Sequence, residues 1–216
     1  MDTYDFYAEK AVTWLPLVMV SVIAVILMLP NSRKKFLRLQ ASLPTSKISS
    51  VAMGLVEIQG TLMMKDALVS PVSKEECIGY YYTIEDITKD KDGSYSYHTI
   101  HRETRCNPFI MQDDSGTIEV QADGIELILL KKTNVRSDSQ KRYTETLLKD
   151  GQQRLLVGYA DAADGIAFIR KDTGRNILGI TGVEGIGVWN KYQPLLRSFM
   201  LTWLMISAVI ILILSQ

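Results

Sequence analysis

Residues Lys47 to Leu62 read KISSVAMGLVEIQGTL, and the fold class turns on how that stretch is taken. Val51, Met53 and Leu55 alternate with small or polar residues, as the buried side of a β-strand requires. The apolar phase then slips by one at Gly54 and continues through Val56 and Ile58. A strand whose buried side changes at a glycine is expected to bend or bulge, because glycine tolerates the backbone angles a bulge needs. Strands that coil in this way close small barrels. The expected fold is mainly β: a small, closed or partly open barrel.

Outward from this strand the pattern stays β. Ser42, Pro44 and Ser46 punctuate before it, and Ser70-Pro71 marks a turn after it. Ile78, Tyr80, Tyr82 and Ile84 alternate with Gly79, Tyr81, Thr83 and Glu85; Asp92-Gly93 is a hairpin signal, and Tyr95, Tyr97, Thr99 and His101 follow it. A second hairpin joins NPFIMQ to TIEVQA through Asp113-Asp114-Ser115-Gly116, with Phe109, Met111, Ile118 and Val120 facing inward. Ile125 to Leu130 is a short apolar run, Lys131 to Tyr143 reads as a polar loop, and Tyr143 to Asp150 as a short helical turn. RLLVGYA and IAFIR are strands on either side of Asp164-Gly165, and Asp172-Thr173-Gly174 turns the chain again. Turn signals at intervals of about ten residues favour all-β over α/β. The β-domain is placed at residues 47–181, with a basic linker at 31–46 before it and a glycine-containing linker at 182–197 after it.

The two ends have a different composition. Ala11 to Leu29 carries no charge, and with Pro30 it is read as a transmembrane helix at residues 11–30; Ser198 to Leu214 is read as a second one at 198–214. Trp14 and Trp203 sit near the ends of these runs, where interfacial aromatics concentrate. Residues 1–10 are acidic and lack the basic leader of a cleaved signal peptide, so the first run is read as an uncleaved anchor. Arg33, Lys34, Lys35 and Arg38 follow the first run, and Lys191 and Arg197 precede the second. By the positive-inside rule both termini are outside and the β-domain is cytoplasmic, with the four basic residues at the membrane surface.

Formal net charge is +0 over 216 residues and the pI is near 6.7, which disfavours a dedicated polyanion binder. Cys77 and Cys106 are too few for a disulfide framework or a structural zinc site and are read as reduced thiols. His98 and His101, three apart on an alternating strand, are expected on opposite faces and so poorly placed to share a metal. Ser115 beside Asp113 and Asp114 lacks a nucleophile elbow, and those aspartates lack the alternating oxygen ligands of a calcium loop. Neither a catalytic residue, a metal ligand nor a cofactor is expected.

Pro44 to Gly60 (PTSKISSVAMGLVEIQG), the turn Val69-Ser70-Pro71, Tyr80 to Tyr82, the step from Phe109 to Asp113-Asp114-Ser115-Gly116, and Glu145, Leu148 and Gly151 before LLVGYA together resemble the GIDE, or beside-a-membrane, family. The resemblance covers roughly Pro44 to Ile180 and implies a β-domain between two membrane spans. Ubiquitin-ligase members of that family carry their activity in a C-terminal RING with a Cys/His zinc cluster. This sequence ends two residues after its second apolar run, and both its cysteines lie in the β-rich part, so ligase activity is not expected to carry over. RING-less bacterial members imply a two-pass inner-membrane protein that holds partners or assembles.

Two functions follow as expectations. The first is a non-catalytic, membrane-anchored module that recruits or holds a protein partner, or self-associates in the bilayer. The second takes the barrel as OB-like, a class that binds oligonucleotides or small ligands. Tyr81, Tyr95 and Tyr97 would then stack bases while Lys131, Lys132 and Arg136 hold phosphates, although neutral net charge makes nucleic acid the weaker partner. A minor alternative is an anionic-lipid sensor using residues 33–38 and the Lys131 segment.

Overall fold

The computed structural model describes Met19, Ser21 and Val22, residues 32–183 and residues 199–206. The chain divides into two units, and the β-rich one is Arg38–Gly185. Its ten strands of four residues or more are β1 (Gly54–Met64), β2 (Gly79–Lys89), β3 (Tyr95–Cys106), β4 (Phe109–Gln112), β5 (Thr117–Val120), β6 (Asn134–Ser137), β7 (Lys141–Leu148), β8 (Gln153–Ala163), β9 (Ile166–Arg170) and β10 (Gly179–Gly182).

Five of these strands close on themselves. β1 pairs antiparallel with β4, β4 with β5, β5 runs parallel to β9, β9 pairs antiparallel with β8, and β8 returns antiparallel to β1. Counted along the chain, the ring order is first, second, third, fifth, fourth, first. β1 and β8 are eleven residues long because each serves different neighbours along its length. Inward side chains from all five strands form one cluster that includes Val56, Ile58, Leu62, Phe109, Met111, Ile118, Val120, Leu156 and Ile169. Each such side chain, fully removed from water, contributes roughly 1.5–3 kcal/mol. The barrel expected from the sequence is present, and it is closed.

The stretch that suggested it is organised differently from the expectation. Residues 47–53 are not strand: Ile48–Ser50 is a single 3-10 turn, Met53 is 58% exposed, and β1 begins only at Gly54. Gly54 has φ +123°, so it marks the break, but as the junction of turn and strand rather than a bulge within one strand. In the turn Ile48 is buried in the barrel cluster and Val51 packs against it, so the apparent alternation of Val51, Met53 and Leu55 spans a turn and the start of a strand and breaks at the exposed Met53.

A second sheet has the order β6, β7, β2, β3, all antiparallel. Its base belongs to the barrel, since Ile78 and Leu148 are in the barrel cluster and Cys106 packs against it. Above the base, Cys77, Tyr80 and Leu147 form a smaller cluster with Leu68 and Tyr82. Here two expectations are corrected. The Lys131–Tyr143 segment is not simply a loop, and Tyr143–Asp150 is not helical: β6 and β7 form a hairpin joined at Asp138. Tyr and Thr favour extended backbone, and Thr144 to Leu148 are buried on both faces, which erases the alternation that would have announced a strand.

Ser32–Ser42 forms helix α1, so most of the basic linker is helical; Lys35 and Arg38 are exposed, whereas Phe36 and Leu37 are buried. Arg33 and Lys34 belong to the same helix. Residues 199–206 are also helical. No helix among the described residues is long and apolar enough to cross a membrane. Most of the two runs read as spans, 11–30 and 198–214, and of the linker at 182–197, lies outside the described residues.

Candidate functional site

The β2–β3 hairpin carries three of the residues singled out in the sequence. Cross-strand partners share a face, and the register places Tyr81, Tyr95 and Tyr97 on the same side of the sheet, with Glu85, Lys89 and Arg142. The Arg142 guanidinium lies 3.8 Å from the centre of the Tyr97 ring, and its Nε donates to Glu85 Oε2 at 2.7 Å. Lys89 Nζ is 5.8 Å from the Tyr95 ring centre. The two rings are thus braced by cations while remaining 59% and 47% exposed for Tyr95 and Tyr97.

The other predicted residues do not join them. Tyr97 is opposite Ile87, six residues along β2 from Tyr81, about 20 Å at the rise of a strand. Tyr81 therefore lies towards the barrel end of the sheet. Lys131 and Lys132, both exposed, precede the Thr133 N–H to Glu145 carbonyl hydrogen bond and also lie towards that end. Arg136 aligns with Tyr143, Ile84 and His101 on the opposite face. The six residues are spread over two faces and two ends and form no single stacking platform.

The histidine expectation is corrected as well. The β2–β3 register slips between Ile84 and Glu85, which pair with His101 and Thr99 and leave Ile100 as the extra residue. A one-residue bulge shifts the alternation, so His98 and His101 face the same side. His101 packs its ring 5.9 Å from Tyr82. No group of three or more His, Cys, Asp or Glu that could hold a metal occurs among the described residues. Cys77 and Cys106 are free thiols; burial pushes the Cys106 thiol up to about 12.

A polar cleft that sequence reading did not single out lies on the barrel wall. It encloses about 580 Å³ and is lined by Thr45, Ser46, Lys47, Gln59, Gly60, Thr61, Gln112, Asp113, Asp114 and Gln153. Gln112, Thr61 and Gln153 form one cross-strand row over β4, β1 and β8. Thr45 and Ser46 run parallel to β1, and Thr45 Oγ1 donates to Glu57 Oε1 at 2.6 Å. Glu57 is 2% exposed, and its Oε2 has no hydrogen-bond partner among the described residues.

The acids of this cleft are already engaged. Lys47 pairs with Asp114. Asp113 Oδ2 accepts from the Ile48 N–H at 2.9 Å, and its Oδ1 accepts from the N–H groups of Ser115 and Gly116 at 2.7 and 3.0 Å and from Ser115 Oγ at 2.6 Å. Burial pushes the Asp113 carboxyl upward, but these hydrogen bonds outweigh it and hold the group at about 2. The turn is acidic because it clamps the Lys47–Ser50 segment.

No protein-family model, curated protein or solved structure matches the chain.

Proposed function

We propose that this chain is a non-catalytic binding module, held at a membrane by its apolar ends, whose β2–β3 hairpin holds a protein partner. The observation that carries the reading is the pair Tyr95 and Tyr97, exposed on the hairpin and braced by Lys89 and Arg142. Tyr and Arg dominate the energetic centres of protein interfaces, and a side chain ordered in advance loses less entropy on docking. The apolar runs at 11–30 and 198–214, together with the basic residues that flank them on the β-domain side, support two spans and a cytoplasmic β-domain. The GIDE resemblance supports the same arrangement.

The test is photo-crosslinking in native membranes from a reactive residue replacing Thr99, which is exposed and shares the face of Tyr95 and Tyr97. A discrete protein adduct, reduced at least tenfold by Tyr97→Ala, is expected. Failure to form any protein adduct, or an adduct indifferent to Tyr97, overturns the reading.

A second reading has its own support. The ring order first, second, third, fifth, fourth with one parallel pair, β5 to β9, supports taking the closed five-strand barrel as OB-like. The cleft beside β1 offers hydroxyls and three glutamine amides to a small polar ligand. Its cation is neutralised by Asp114 and no aromatic lines it, which argues against single-stranded nucleic acid there.

A further inference from the structure

We infer that the cleft on the barrel wall is a site for an uncharged, polyhydroxylated ligand of the sugar or cyclitol class. This rests on the reading of the cleft as a small-ligand site and names the chemistry of what it takes. The cleft is built by a gap in strand pairing. Along one edge of β1, Glu57 and Ile58 are registered with Thr45 and Ser46, and Thr61 to Met64 with β4, so Gln59 and Gly60 fall between the two neighbours. The Thr45–Ser46 strand does not run on to fill the gap, because the Ile48 N–H donates to Asp113 Oδ2 and Ile48–Ser50 forms the 3-10 turn. The opening, about 580 Å³, has the size of a small-molecule site.

The groups left free in the lining are uncharged. Its ions are engaged within the chain: Lys47 pairs with Asp114, and the two oxygens of Asp113 accept four hydrogen bonds from Ile48, Ser115 and Gly116. By contrast, the side chains of Ser46, Gln59, Thr61, Gln112 and Gln153 have no hydrogen-bond partner among the described residues. Each amide sets an acceptor oxygen beside a donor nitrogen, and each hydroxyl plays both roles, which matches a ligand hydroxyl that itself donates and accepts. Gln112, Thr61 and Gln153 are cross-strand neighbours about 5 Å apart, so one ligand with several hydroxyls reaches all three. Thr45 adds direction. Its hydroxyl proton is given to Glu57 Oε1, so towards the cleft that oxygen can only accept.

Other ligand classes fail on the same lining. An anion meets two aspartates against one lysine, and a cation must displace Lys47 from Asp114. A lipid tail or a nucleobase finds no aliphatic or aromatic side chain to cover it, and would leave the amides and hydroxyls desolvated without partners.

The test uses the full chain in phosphatidylcholine nanodiscs, which carry no sugar. The uncharged probes are a panel of methyl hexopyranosides and myo-inositol; glucuronate and glucosamine are the anionic and cationic counterparts. Binding is read by saturation-transfer NMR of the probe and by shifts of the protein's backbone amide signals. At least one uncharged probe is expected to bind about tenfold more tightly than both counterparts and to move the amides of Ser46, Thr61 and Gln153. The variant Q112A/Q153A, altered only at exposed side chains without partners, is expected to bind that probe about tenfold more weakly with an unchanged melting temperature. A second set of nanodiscs contains a neutral glycosyl diacylglycerol. The same amide shifts without any free probe assign a lipid headgroup as the source of the ligand, and shifts with free probe alone assign a soluble one. Binding of no uncharged probe in either nanodisc, equal binding of a charged counterpart, or unchanged affinity in Q112A/Q153A overturns the inference. If only the charged counterparts bind, and Q112A/Q153A loses that binding, the ligand class fails while the cleft stands as a small-ligand site. If no probe moves an amide of the cleft, that reading fails with it.

Discussion

Glu145 has no exposed surface, yet its carboxylate is among the best-satisfied groups in the molecule. It accepts from the Val72 and Ser73 N–H groups at 2.9 and 3.0 Å and from Asn134 Nδ2 at 2.9 Å, tying the Pro71 turn and β6 to β7. Burial pushes its pKa up, and the bonds from Ser73, Asn134 and Val72 more than reverse this, leaving it below the ordinary glutamate value. Asp113 is depressed in the same way, to about 2. A carboxyl whose folded pKa lies below its unfolded one gives stability that is present above the unfolded value, near 4, and is lost as pH falls through the folded value. Denaturant midpoints should therefore hold steady from neutral pH to about 5 and fall between about 4 and 2. Asp113→Asn should be less stable at pH 7 and show a shallower acid limb. A decline beginning above pH 5, or an acid limb unchanged in Asp113→Asn, contradicts this account.

At the scale of elements, the hairpins were legible because their turns announce themselves. Asp164 and Gly165 take φ of +53° and +79°, and Gly93 takes +86°, backbone states that Asp-Gly pairs adopt at low cost. β7 was hidden because burial on both faces leaves no period to read, and because a glutamate at its centre looks like a surface residue. The cleft was illegible for a related reason: Gln112, Thr61 and Gln153 become neighbours only when three strands distant in sequence take one register. Gly79 gives an element-scale prediction. A Cβ there would lie 2.7 Å from Cys106 Sγ and 2.8 Å from the Arg105 carbonyl oxygen, so β2 and β3 approach too closely for any side chain. Gly79→Ala forces the two strands apart at the base of the sheet and should cost about 1–3 kcal/mol, the usual range for overpacking. Thermal unfolding should drop accordingly, and exchange of β3 amides near Cys106 should accelerate. An unchanged melting temperature would mean that the base of the sheet yields more easily than a packed barrel wall permits.

For the whole molecule, the proposed anchoring at both ends raises the question of which side of a bilayer the barrel would stand on. The basic residues Arg33, Lys34, Lys35 and Arg38 follow the first apolar run, and Lys191 and Arg197 precede the second, so both flanks of the β-rich unit carry the positive charge. Short basic flanks are retained on the cytoplasmic side during insertion, and agreement of the two flanks constrains orientation more tightly than either alone. The β6–β7 turn is a suitable place to read the outcome. Asp138 closes it, its N–H donating to the Lys141 carbonyl at 2.9 Å while Oδ1 accepts from the Gln140 and Lys141 N–H groups, and Ser139 is exposed at its tip. An exposed turn of this kind tolerates insertion because few buried contacts depend on it. A reporter active only in the cytoplasm, inserted after Ser139, should be active, and a reporter active only after export should be silent there. Replacing Arg33, Lys34, Lys35 and Arg38 by glutamine should weaken that asymmetry, since it removes the larger of the two charge clusters. Activity of the exported reporter in the unaltered chain would place the barrel on the other face, where the proposed partner of the β2–β3 hairpin would have to be sought among exported proteins.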